Sequence, residues 1–164
     1  MYYFAYGSNM STRRIQARAP SATKLNTARL EGHRLAFHKI SDNDDTAKCD
    51  ACETGDETDC VHGVVFTLSE QDKPALDRAE GLGRGYAEKV VRVSLTDGDV
   101  VEAITYYAIR IDPGLKPLDW YKSHVLRGAR EHGLPEAYIR AIETVEHIED
   151  CDGERREREL AIYR

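Results

Sequence analysis

At 164 residues the chain is long enough to bury one hydrophobic core and too short for two comfortable domains. Charged residues make up 32% and apolar residues 41%, an ordinary balance for a folded protein, and the net charge of −6 argues against nucleic-acid and anionic-membrane partners, which need a concentrated basic surface. No apolar run reaches bilayer length and Met1–Ser8 lacks the pattern of a secretory signal, so the expected location is the cytoplasm, with the 4 cysteines as reduced thiols.

Tyr2–Tyr6 is short and aromatic, which predicts a strand ended by the turn formers Gly7-Ser8-Asn9. Ser11 or Thr12 then starts a short helix running to about Arg18, before Pro20. Spaced apolar residues at Leu30, Leu35 and Phe37 predict a strand pair over Thr27–Lys39, broken near Glu31-Gly32. Ser41–Asp59 is polar, acidic and aperiodic, and reads as a long loop. Val61–Leu68 is a strand, followed by a helix that Ser69 caps, with Asp72 in an approximate capping-box position and Pro74 in the first turns.

Tyr86–Leu95 and Val100–Ile109 alternate and are joined by Thr96-Asp97-Gly98-Asp99, a tight hairpin. Asp112-Pro113-Gly114 is a break. A helix follows Pro117 and ends at Gly133; another follows Pro135 and carries Tyr138, Ile142 and Val145. Residues 1–148 read as one domain and 149–164 as a charged tail, helical or extended. In it Arg155, Arg156 and Arg158 interleave with Glu154, Glu157 and Glu159 as a solvated face. Antiparallel strands with helices set apart predict the α+β class.

Three places carry chemistry. At the turn after the first strand, Gly7 permits a tight backbone path, and the next N–H groups form either a plain strand-turn-helix junction or a nest of amides for a carboxylate or phosphate. Glu80 shares a helix face with Leu76 and Ala79 just before Gly81. It is either an ordinary solvated helix-end carboxylate or a general base whose pKa desolvation and the helix dipole push up. Cys49, Cys52, Cys60 and His62 have a spacing that could close around zinc, or are incidental thiols and a solvent-facing imidazole. Asp77 and Asp119 read as surface residues.

The set Tyr3-Phe4-Ala5-Tyr6-Gly7-Ser8-Asn9-Met10, Gly63-Val64-Val65-Phe66, Leu76-Asp77-Arg78-Ala79-Glu80-Gly81, Gly85-Tyr86, Trp120-Tyr121-Lys122 and Gly128–Pro135 resembles the γ-glutamylcyclotransferase family, in the family's order and approximate spacing, over Tyr2 to about Ile142. The resemblance implies a small mixed β-barrel with flanking helices. It implies that a γ-glutamyl amine or amino acid is cyclised to 5-oxoproline with release of the amine, and that no metal or organic cofactor is needed. Glu80 falls on the family's catalytic glutamate. Tyr3, Phe4, Ala5, Tyr6, Gly7, Ser8, Asn9 and Tyr121 fall on its substrate-binding positions, and Tyr86 is a further candidate for the pocket wall. The partner so implied is a small-molecule γ-glutamyl substrate, with a homodimer left open. The competing functions are a catalytically silent carboxylate-binding module and an interaction protein built on a zinc loop.

Overall fold

In the computed structural model, which describes residues 1–164, Tyr2–Ala5 forms strand β1 and joins both ends of a closed sheet. The other strands are β2 (Thr23–Glu31), β3 (His33–Ile40), β4 (Ala47–Glu53), β5 (Cys60–Thr67), β6 (Tyr86–Leu95) and β7 (Val100–Ala108). The helices are α1 (Thr12–Arg18), α2 (Lys73–Glu80), α3 (Asp119–Glu131), α4 (Glu136–Glu143) and α5 (Gly153–Leu160). The barrel runs β1-β5-β2-β6-β7 and closes where Tyr3 of β1 meets Ile104 of β7, its one parallel contact. Closure leaves the barrel no free sheet edge, and its two faces bury Phe4, Val64, Val65, Phe66 and Val93 with no exposed surface. This is the α+β, mixed-barrel architecture expected. No helix is long and apolar enough to cross a membrane.

The hairpin of β6 and β7 lies where the alternation puts it. Strands also flank Gly32, but they separate: β2 pairs with β5 and β6 inside the barrel, whereas β3 pairs with β4 outside it. The partner β4 overturns the reading of Ser41–Asp59 as a loop. Its inward positions are Ala47, Cys49 and Ala51, each at most 1% exposed, residues too small to make a visible apolar alternation. Buried Asp50 masks the pattern further. Its carboxylate accepts from the Ala108 amide at 2.8 Å and contacts His38 Nε2 at 2.7 Å, which ties the hairpin to β7. The helix assigned to Ser69 begins later, at Lys73: Ser69 sits in the preceding turn, and Asp72, at the N-cap, accepts from the amide and hydroxyl of Ser21 instead of capping the helix.

The charged tail is not a simple solvated face. Arg155 forks onto Asp150, Arg156 bonds Asp119, and Glu159 bonds Arg14 at 3.0 Å. Asp119 is therefore a structural anchor, as is Asp77, which accepts from Tyr106 at 2.6 Å. Beneath the tail, His124 of α3 is fully buried between Arg14 and the Tyr163 hydroxyl, at 3.1 and 2.6 Å. A guanidinium only donates, so Nε2 accepts and the ring is neutral, with its proton on Nδ1 facing Tyr163.

Burial drives His124 down from 6.5 to about 4, and Arg14 beside it acts in the same direction. The unfolded chain therefore binds the extra proton, so stability is full above pH 6.5 and falls as pH drops toward 4, by roughly 3 kcal/mol for this one group. His62 and His132 are shifted the same way by burial. Denaturant midpoints should fall between pH 6.5 and 4, and a His124→Asn variant should show a flatter profile over that window. An unchanged slope would contradict a neutral buried His124.

Candidate active site

Beyond Ala5 the chain turns through Tyr6 and Gly7 into a 3-10 turn, Ser8–Met10, whose closing bond runs from the Met10 amide to the Gly7 carbonyl at 3.0 Å. The amides of Gly7, Ser8 and Asn9 donate to no protein acceptor, although Ser8 and Asn9 are buried. Buried N–H groups are costly to leave unpaired, and successive amides in such a turn make an anion-binding concavity. Glycine is needed at position 7 for space and not for a left-handed backbone, since its φ is −112°. A Cβ there would lie 3.0 Å from Cys49 Cβ and 3.5 Å from the Tyr121 hydroxyl.

Glu80 is the last residue of α2, which Gly81 ends in the left-handed conformation with φ 69°. Leu76 faces the core from the same helix. The surroundings of the carboxylate are not the apolar stripe anticipated from that face. Oε1 accepts from Arg18 Nη1 at 2.6 Å and from Asn9 Nδ2 at 2.8 Å, while Arg18 also donates to Asn9 Oδ1 at 2.8 Å. Asn9 gives its second amide proton to the Tyr3 hydroxyl at 3.0 Å. The side chain of Glu80 is only 14% exposed, and no protein group bonds to Oε2. Arg18 was not apparent as a site residue in the sequence; it is the last residue of a short helix, and no spacing links it to Glu80.

Two tyrosines hang from one residue of β4. Cys49 donates its amide to the Tyr121 oxygen at 2.9 Å and accepts the Tyr86 hydroxyl on its carbonyl at 2.5 Å. Lys48 lies over the Tyr121 ring, 4.9 Å from its centroid. Burial raises the pKa of the Tyr3, Tyr86 and Tyr121 phenols and pushes the Cys49 thiol up to about 12. These groups therefore stay protonated. No three of Cys49, Cys52, Cys60 and His62 bring ligand atoms together; Cys49 faces the core of the site and His62 stacks edge-on against Tyr138. The one His/Cys/carboxylate cluster on the hairpin is His38, Asp50 and Cys52.

These groups enclose a cavity of about 30 Å³, lined by Tyr3, Tyr6, Gly7, Ser8, Asn9, Cys49, Glu80, Tyr86, Tyr106 and Tyr121. Ser8, Glu80, Tyr86 and Tyr121 also line a charged outer cleft of about 350 Å³, so one opens beside the other. Phe4 and Ala5 do not line either. Their side chains are completely buried in the barrel, where the Phe4 ring fills the space left by Gly63. A larger groove of about 680 Å³ beside α3 contains none of the anticipated site residues.

Gly7→Ala should fold, since the neighbouring Cys49 must give only a few tenths of an ångström, whereas Gly7→Val should displace β4 over the amide nest. Calorimetric titration with 5-oxoproline, as a small carboxylate probe, should show affinity falling by about tenfold or more in a Val variant that still unfolds cooperatively. Unaltered affinity in that variant would mean that the turn is structural only.

Residues 60–142 match the model of the AIG2-like family. The chain is 34% identical over 150 residues to γ-glutamylcyclotransferase of Bos taurus and 32% identical to that of Homo sapiens, covering 88% of this chain and 78% of each relative. A solved structure of a γ-glutamyl cyclotransferase superposes with a TM-score of 0.85 at 29% identity, over 99% of this chain and 97% of the other. With the barrel, the glycine turn and Glu80 brought to one cavity, the chain belongs to the γ-glutamylcyclotransferase family.

Proposed function

We propose that the chain converts a γ-glutamyl compound into 5-oxoproline and a free amine, with Glu80 as the proton carrier. The observation that supports it most is the meeting, in one cavity, of an acid–base carboxylate with the unbonded amides of Gly7, Ser8 and Asn9. The other titratable groups lining that cavity are phenols and a thiol held protonated by burial, which leaves Glu80 to exchange the proton.

The substrate's own α-nitrogen is the nucleophile. Glu80 takes a proton from the α-ammonium at Oε2, which frees the lone pair to attack the γ-carbonyl carbon. The oxygen of that carbonyl becomes an oxyanion, which the amides of the turn stabilise. The carboxyl hands that first proton to the departing nitrogen; the regenerated carboxylate takes the second proton from the ring nitrogen as the old C–N bond breaks, and passes it to the freed amine. One C–N bond forms, one breaks, and the positive charge passes from the substrate's ammonium to the released amine. No nucleophilic side chain takes part. Holding the flexible chain curled for ring closure supplies much of the acceleration. Arg18 and Asn9 act as positioning residues by fixing Oε1.

Glu80→Gln keeps an acceptor for Arg18 and Asn9 but cannot cycle a proton. Release of 5-oxoproline should fall by about two to four decades in kcat while the variant stays folded. Near-normal turnover in a folded Glu80→Gln protein would contradict the assignment.

A further inference from the structure

Strand β3 carries a bulge at His38, between the pairs Phe37–Cys49 and Lys39–Lys48. A bulge re-aims the residues beside it. Here His38 contacts Asp50, and Lys39 packs against the wall of the outer cleft. Lys39 is 95% buried, at 5% relative exposure, and its ammonium lies 4.7 Å from the centroid of the Tyr86 ring. It occupies a seat left bare by Gly85, where a Cβ would come within 2.4 Å of Nζ.

No protein group forms a hydrogen bond or ion pair with that ammonium. The neighbouring acid, Asp42, bonds Arg110 at 2.9 Å instead. Asp42, Asp44 and Glu80 attract Lys39 from a distance and Arg110 repels it; burial outweighs them and lowers its pKa. The other cations of the cleft are accounted for. Arg14, Arg18 and Lys48 each pair with a carboxylate, and Arg78 and Arg84 are exposed. A lysine this far desolvated, its ammonium at the cleft wall without a protein acceptor, carries a cost that the face of one aromatic ring offsets only in part. An incoming anion removes it.

We propose that Lys39 is the receptor for a carboxylate on the departing amine, which makes it the residue that selects γ-glutamyl amino acids over γ-glutamyl amines. This rests on the cyclotransferase reading above. The assignment to the departing half follows from position. Lys39 lines the outer cleft and not the inner cavity, where the amides of the glycine turn already offer donors beside Glu80. Tyr86 lines both spaces, so a substrate reacting in the inner one extends past the ammonium on its way out.

The test compares γ-glutamyl-L-alanine with γ-glutamyl-ethylamine, which differ only by the carboxylate of the leaving group. In the wild type kcat/KM should favour the alanine compound, and Lys39→Met should reduce that preference by about 10- to 100-fold, the range for one charge-assisted hydrogen bond. Should Lys39→Met not fold, product inhibition of the wild type gives the same answer: L-alanine should compete at concentrations at least about tenfold lower than ethylamine. An unchanged preference, an equal loss on both substrates, or equal inhibition by the two products would overturn the role of Lys39. Failure of the wild type to release 5-oxoproline from either substrate would instead overturn the proposed function.

Discussion

The side chain of Cys49 packs against the bare α-carbon of Gly7, where a Cβ would lie 3.0 Å from Cys49 Cβ, and the geometry of the site follows from that approach. Strand β4 passes this close to the glycine turn because residue 7 carries no side chain; a lone Cβ would press Cys49 back by a few tenths of an ångström. Once there, Cys49 supplies an amide to Tyr121 and a carbonyl to Tyr86, so both walls of the cavity are set from one peptide segment. The turn's own amides are left facing space that the tyrosines enclose. A branched side chain at position 7 changes the frame, the walls and the amide nest together.

Charge in the site is held by equally local means. Asn9 belongs to the glycine turn, Arg18 to the end of α1 and Glu80 to the end of α2, and the three side chains meet within 2.8 Å. Because both donors fall on Oε1, one oxygen is fixed and the other stays available. Arg18 and Asn9 thus trade desolvation of the carboxylate for two hydrogen bonds, which a group buried to this degree needs. Lys39 is the opposite case, a buried side chain whose ammonium has an aromatic face and no hydrogen bond, set on the wall of the outer cleft.

Much of the barrel was legible from sequence, because β1 and β5 are short aromatic or β-branched runs and β6 and β7 alternate, signals strong enough to stand without tertiary information. The position of Glu80 before Gly81 was legible as well, since a left-handed glycine ends the helix there. The hairpin partner β4 was not. Its core face is Ala47, Cys49 and Ala51, and Asp50 is buried by partners from β3 and β7 that no local pattern announces. The same limit hid Arg18 and Lys39, whose roles arise from the meeting of α1 with α2 and of β3 with Gly85. Phe4 and Ala5 differ from the rest of their motif, with side chains buried away from both the cavity and the cleft. A contiguous motif does not make a contiguous side-chain surface, because strand geometry turns part of it into the core.

Glu80 and the amides of Gly7–Asn9 acting on one substrate is the central claim, and a crystal structure of the Glu80→Gln variant with γ-glutamyl-L-alanine tests it most directly. The account predicts the scissile carbonyl oxygen within hydrogen-bonding distance of those amides and the α-nitrogen next to residue 80, with the alanine carboxylate extending toward Lys39. Substrate bound instead in the groove beside α3, or in the inner cavity with its carbonyl turned away from the glycine turn, would contradict it.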